Sequence, residues 1–108
     1  MADKNPLVAK IEEQVKANPV IIYMKGSPEF PMCGFSARAC QVLKAAGVDR
    51  PAHVNVLEND DLWGALEEYS QWPTVPQIFI NGNFIGGCDI IAEMYERGEL
   101  QELLLKKS

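Results

Sequence analysis

A chain of 108 residues with a formal net charge of −5 has room for one hydrophobic core, expected as a single domain over 1–108, and its acidity argues against a phosphate backbone as partner, so no nucleic acid is expected. The longest strongly apolar run, Val20 to Met24, is far too short to span a bilayer, and Met1 to Pro6 show no secretory apolar region. Three cysteines are an odd number for a secreted disulfide framework and fit a reducing compartment, most simply the cytoplasm, although a processed organelle-matrix form would share these features.

Asn5-Pro6 is a good helix cap and first-turn pair, followed by Leu7, Val8, Ile11 and Val15 on one face and stopped by Pro19. Val20 to Met24 reads as a buried strand. Ala37, Ala39, Val42, Leu43, Ala45 and Ala46 recur at helical spacing and end at Gly47, a natural C-terminal cap. His53 to Leu57 alternates like a second strand. Asp60 or Asp61 is placed to cap a helix carrying Leu62, Ala65, Leu66 and Tyr69. Asn81-Gly82 between Gln77–Ile80 and Asn83–Ile85 is the strongest hairpin signal in the chain, a type I′ turn. Asp89 to Arg97 forms a further helix, ended by Gly98 and followed by a short helical tail. The order α-β-α-β-α-β-β-α predicts an α/β fold, a four-stranded mixed sheet with helices on both faces.

Cys33-Gly34-Phe35-Ser36 reads as a redox CxxC motif whose second cysteine is a serine. Cys33 falls at a loop-to-helix junction, where unpaired N–H groups and the positive dipole end favour a thiolate. Lys25 closes the preceding apolar run and is a candidate cation for that thiolate. A reactive sulfur without a resolving thiol three residues later suits mixed disulfides or metal ligation rather than dithiol turnover. Val75-Pro76, just before a strand, is a plausible cis bond, with Thr74 beside it. Gly86-Gly87 allows close backbone approach at a helix start, where Asp89 could serve as the N-cap. Cys88 has two open roles, as a small residue lining the site or as a thiol able to pair with Cys33. Cys40 lies about 10 Å along the helix from Cys33 at ~1.5 Å per residue, too far for a disulfide. His53 is more simply structural, and three scattered cysteines with one histidine lack the spacing of a zinc site.

The blocks Lys25-Gly26-Ser27-Pro28, Cys33-Gly34-Phe35-Ser36, Trp72-Pro73-Thr74-Val75-Pro76-Gln77 and Gly86-Gly87-Cys88-Asp89 stand in the order found in the monothiol, CGFS-type glutaredoxins, which the chain resembles from about Ile11 to Leu103. The resemblance implies a thioredoxin-like fold and a glutathione site made by Lys25, Cys33, Phe35, Thr74, Val75, Pro76, Gly87, Cys88 and Asp89. Within it, Lys25 would reach the glycyl carboxylate, the Val75 backbone would pair with the tripeptide, and Asp89 would meet the γ-glutamyl ammonium. It also implies a [2Fe–2S] cluster held in a homodimer by Cys33 and one glutathione sulfur from each side, for delivery to iron–sulfur acceptor proteins, with BolA-like proteins as further partners. The alternative is a glutathione-dependent thiol–disulfide oxidoreductase that works through Cys33 alone. One position departs from the pattern. Many members carry an arginine nine residues before the tryptophan of the third block, and here that residue is Trp63, leaving Lys25, Gln71 or Arg38 to compensate.

Overall fold

β1 (Val20–Met24) carries no charged side chain, and its last four residues are buried, which places it inside the sheet. The structure, a computed structural model, describes residues 5–105. The reading of Met1 to Pro6 as lacking a secretory or transit segment falls mostly on residues 1–4, which lie outside the described residues, as do 106–108. Within the sheet the order is β2 (Ala52–Asn55), β1, β3 (Gln77–Ile80) and β4 (Asn83–Gly86). β1 runs parallel to β2, with Ile22 opposite His53, and antiparallel to β3, with Ile22 opposite Ile78. β3 and β4 form the expected hairpin, whose turn residues Asn81 and Gly82 take φ of 53° and 85° as a type I′ turn requires.

Side-chain alternation along the strands divides the core into two layers. Ile21, Tyr23 and Phe79 face α1 (Pro6–Ala17) and α3 (Leu62–Ser70), packing with Val8, Ile11, Val15, Ala65 and Leu66. Ile22, Met24, Ile78 and Ile80 face α2 (Gly34–Ala45), α4 (Cys88–Glu96) and α5 (Glu99–Leu105), packing with Ala39, Leu43, Ile91 and Leu100. The Tyr23 ring meets Phe79 edge-on at 5.7 Å, and its hydroxyl donates to Gln14 Oε1 at 2.7 Å, so this buried phenol stays satisfied. α1 starts as expected, with Asn5 Oδ1 accepting from the Leu7 N–H at 2.9 Å. α2 ends in a Schellman motif, with Val48 N–H on Leu43 O at 2.8 Å and Gly47 N–H on Lys44 O at 3.0 Å.

Three details at the element ends differ from the sequence expectation. The second strand occupies 52–55 rather than 53–57, because Asn55 Oδ1 accepts from the Leu57 N–H at 3.0 Å and turns the chain into a short 3-10 helix, Val56–Glu58. Asp61 stands at the N-cap of α3 without a side-chain cap bond, while Asn59 Oδ1 accepts the Asp61 N–H at 2.9 Å. α4 begins at Cys88 with Gly87 as its cap, so Asp89 lies inside the first turn and is not the N-cap. Among the described residues, no helix is long and apolar enough to cross a membrane.

Candidate functional site

The C-terminal end of β1, the N-terminal end of β3 and the C-terminal end of β4 share one edge of the sheet, since β1 and β4 both run antiparallel to β3. That topology brings together the blocks around Lys25, Thr74 and Gly87, and α2 rises from the same edge.

The loop leaving β1 is a small closed hairpin. Met32 N–H donates to Lys25 O at 2.9 Å, Ser27 and Phe30 exchange backbone bonds of 3.2 and 3.1 Å, and Gly26 pairs with Pro31 as an isolated bridge. Gly26 N–H also donates to Asn55 Oδ1 at 3.0 Å, tying the loop to β2. Gly26 has φ of 88°, and a Cβ there would run into the Phe30 carbonyl and lie 2.9 Å from Met32 N, so only glycine fits. The loop leaves Phe30, Met32 and, at the start of α2, Phe35 strongly exposed at 78%, 67% and 63%. Phe35 therefore does not pack into the core, and stands as an apolar collar beside the thiol.

Cys33 is the N-cap of α2 in extended conformation, partly exposed and free. Its side chain makes no formed cap bond, yet the Phe35 and Ser36 N–H groups at the helix start act on the sulfur. The Ser36 N–H lowers the thiol pKa most, against a smaller opposing effect of burial, and the Phe35 N–H, the Lys25 charge and the Ser36 hydroxyl lower it further. Ser36 is fully buried, and its Oγ accepts the Lys25 N–H at 3.2 Å. The serine that reads in the sequence as a missing thiol is thus a structural link between β1 and α2 that also faces Cys33.

The Lys25 ammonium lies 5.0 Å from the centroid of the Trp63 ring. Trp63 Nε1–H donates to Pro73 O at 3.1 Å, which attaches α3 to the loop before β3. Of the residues weighed as compensating for the missing arginine, Gln71 has its side-chain amide on Glu68 O at 2.7 Å and takes a left-handed φ of 62° as the cap of α3. Arg38 lies near enough to Cys88 for its charge to oppose the rise of that thiol's pKa.

The Val75–Pro76 peptide is cis, as the sequence suggests. Among the described residues nothing hydrogen-bonds to the Val75 peptide groups, although Val75 is only 8% exposed. Gln77, fully buried at the start of β3, holds this loop by donating from Nε2 to Trp72 O at 2.9 Å and Thr74 O at 3.0 Å, while its Oε1 has no partner among the described residues. A Cβ on Gly87 would come within 3.2 Å of Pro76 O, so the start of α4 lies against the cis-proline loop. Asp89 is exposed in the first turn of α4, at the favourable end of the helix dipole.

Cys88 is buried and free, and burial raises its pKa most, with Arg38 opposing and Asp89 and Cys33 adding to the rise. Its thiol therefore shares the electrostatic neighbourhood of Cys33 while lining the site as a neutral group. Cys40 touches Met24 sulfur to sulfur at 3.7 Å, and burial raises its pKa too. Among the described residues no group of three or more His, Cys, Asp or Glu side chains is placed to hold a metal ion. Two open clefts flank the 27–32 loop, one lined by Lys10, Gln14 and Asn59 and one by Cys40, Lys44 and Arg50, with His53 at both; neither is lined by Cys33, Val75 or Asp89. Sequence reasoning gave no weight to Gln77 and too little to Ser36. A polar residue opening an otherwise apolar strand was the available signal for Gln77.

The family model described as Glutaredoxin matches residues 20–85. Glutaredoxin 4 of Escherichia coli (strain K12) is 52% identical over 97 residues, covering 90% of this chain and 84% of that protein. Among solved structures, reduced poplar apo GrxS14 superposes with a TM-score of 0.78 at 46% identity, covering 94% of this chain and 93% of the other. A buckwheat glutaredoxin–glutathione complex superposes with a TM-score of 0.79 at 28% identity, covering 91% and 86%.

Proposed function

Because the chain belongs to the glutaredoxin family, as a monothiol member with Cys33 alone in its motif, we propose that it binds glutathione at this sheet edge and carries a [2Fe–2S] cluster between two subunits for delivery to acceptor proteins. The observation that carries the proposal is the environment of Cys33, a partly exposed thiol held below its ordinary pKa with a buried serine where a resolving thiol would stand. The unpaired Val75 peptide groups suit an extended tripeptide added in the manner of one strand residue. A glutathione complex of the buckwheat relative supports the same ligand here. Asp89 would meet the γ-glutamyl ammonium, and Lys25 the glycyl carboxylate.

The donor set fits a shared cargo. A [2Fe–2S] cluster takes four thiolate-type ligands, and one chain offers one suited thiolate, so two Cys33 sulfurs and two glutathione sulfurs complete the set. The exposed collar of Phe30, Met32 and Phe35 around Cys33 supplies apolar surface for the second subunit. Ligation shared with an exchangeable thiol allows stepwise release to acceptors, with BolA-like proteins as regulatory partners. The proposed place of action is the cytoplasm, in keeping with three free cysteines.

A second reading draws on the same thiolate. Cys33 would attack the glutathione sulfur of a mixed disulfide and release the protein thiolate, and a second glutathione would regenerate Cys33 with glutathione disulfide as product. Anaerobic reconstitution with iron, sulfide and glutathione, followed by visible absorption and gel filtration, separates the two. We expect a coloured dimer from the native chain and none from Cys33→Ser. A colourless native protein with full deglutathionylation turnover would favour the second reading, and a cluster formed without glutathione would overturn the shared-ligand arrangement.

A further inference from the structure

Trp63 adds no charge to the site, yet it makes two contacts that converge there. Its ring face holds the Lys25 ammonium at 5.0 Å, and its Nε1–H is fixed on Pro73 O at 3.1 Å, one residue before Thr74. The ring is half-buried on α3, so its orientation is set by packing as well as by the hydrogen bond. Lys25 is half-buried too, and its own N–H is fixed on the Ser36 hydroxyl. A free lysine head would sample many rotamers, whereas this one has a preferred seat between α3 and the loop entering β3.

We propose that Trp63 is the positioning residue of Lys25, seating the ammonium on its ring so that it is ready for the carboxylate end of the bound thiol ligand. The inference rests on the glutathione reading for the identity of that ligand. An ammonium seated in advance loses less freedom when a carboxylate arrives, so the ring strengthens binding without touching the ligand. The effect belongs to ligands that carry a charged glycyl end. It depends on Lys25 and disappears without it.

The test uses S-methylglutathione, which cannot form disulfides, and its glycyl ethyl ester, titrated by calorimetry into the native chain, Trp63→Leu, Trp63→Phe, Lys25→Met and the Lys25→Met/Trp63→Leu double variant. Trp63→Leu should weaken binding of the acid about two- to fivefold, the range of an exposed cation–π contact, and leave the ester unchanged. Trp63→Phe, which keeps a ring, should fall between Leu and Trp. In the Lys25→Met background Trp63→Leu should add nothing. A parallel readout needs no ligand: the Cys33 alkylation midpoint should rise in Trp63→Leu only while Lys25 is present. Equal losses for acid and ester, or equal losses with and without Lys25, would overturn the positioning role. If the native chain binds neither compound, the glutathione reading falls, and the alkylation midpoints alone decide whether Trp63 seats Lys25.

Discussion

The Ser36 hydroxyl accepts the backbone N–H of Lys25 at 3.2 Å, joining two residues eleven positions apart at the point where β1 ends and α2 begins. The same hydroxyl faces Cys33, so one buried oxygen serves both the frame and the thiol.

Ser36→Ala should therefore cost more than a surface change. It leaves the Lys25 N–H without its acceptor at a half-buried position, a loss of about 1 kcal/mol. It also removes one of the groups that favour the Cys33 thiolate, so the Cys33 alkylation midpoint should rise. Urea unfolding and a pH series of alkylation rates check both, and unchanged stability would show that water replaces the hydroxyl.

The three thiols should separate in a pH series of iodoacetamide labelling read by mass spectrometry. Cys33 is shifted down and therefore reacts with a midpoint below the ordinary thiol value of about 8.5, whereas Cys40 and Cys88 are shifted up by burial and react above it. A Cys88 midpoint at or below that of Cys33 would contradict the environment described for both.

Gln77 offers a test with a sign. Gln77→Met removes the two donors that hold Trp72 O and Thr74 O but also the unpartnered Oε1, and should cost about 1–2 kcal/mol in urea unfolding. Gln77→Glu places a buried carboxylate against two carbonyl oxygens and should cost more at pH 7. Burial would raise that carboxyl's folded pKa above the unfolded value of ~4.3, so the neutral form is the one the fold tolerates. The deficit should shrink as pH falls toward ~4.3 and grow as pH rises through the folded value. A deficit independent of pH would mean that the side chain swings out to water.

Gly26→Ala should lower stability by at least about 1–2 kcal/mol, since a left-handed φ and a blocked Cβ position coincide. Nuclear magnetic resonance spectra should localise the change to residues 26–33 and to Asn55. Shifts spread evenly over the domain would argue against the closed-hairpin account of this loop.

Local signals were legible in the sequence, and contacts across the fold were not. Asn5-Pro6, Asn81-Gly82 and Val75-Pro76 each act within a few residues, and each is found where its chemistry puts it. The end of β2 was missed because Asn55 uses one oxygen for both a local turn and the distant Gly26 N–H. Gly87 rather than Asp89 caps α4 because that position must lie against Pro76, which no local pattern announces. Trp63 reads in the sequence as a lost contact, yet its value comes from Lys25 and Pro73, which only the packing of α3 brings near.

The two-layer core gives the site a mechanical consequence. Lys25 is coupled to Trp63 on the α1–α3 side, while Cys33, Cys88 and Asp89 open the helices of the other side. A molecule that grips both sets bridges the layers like a clasp across the end of the sheet. Its binding energy then opposes any separation of the layers, and amide hydrogen exchange should slow in α5, which packs against α4 through Leu100.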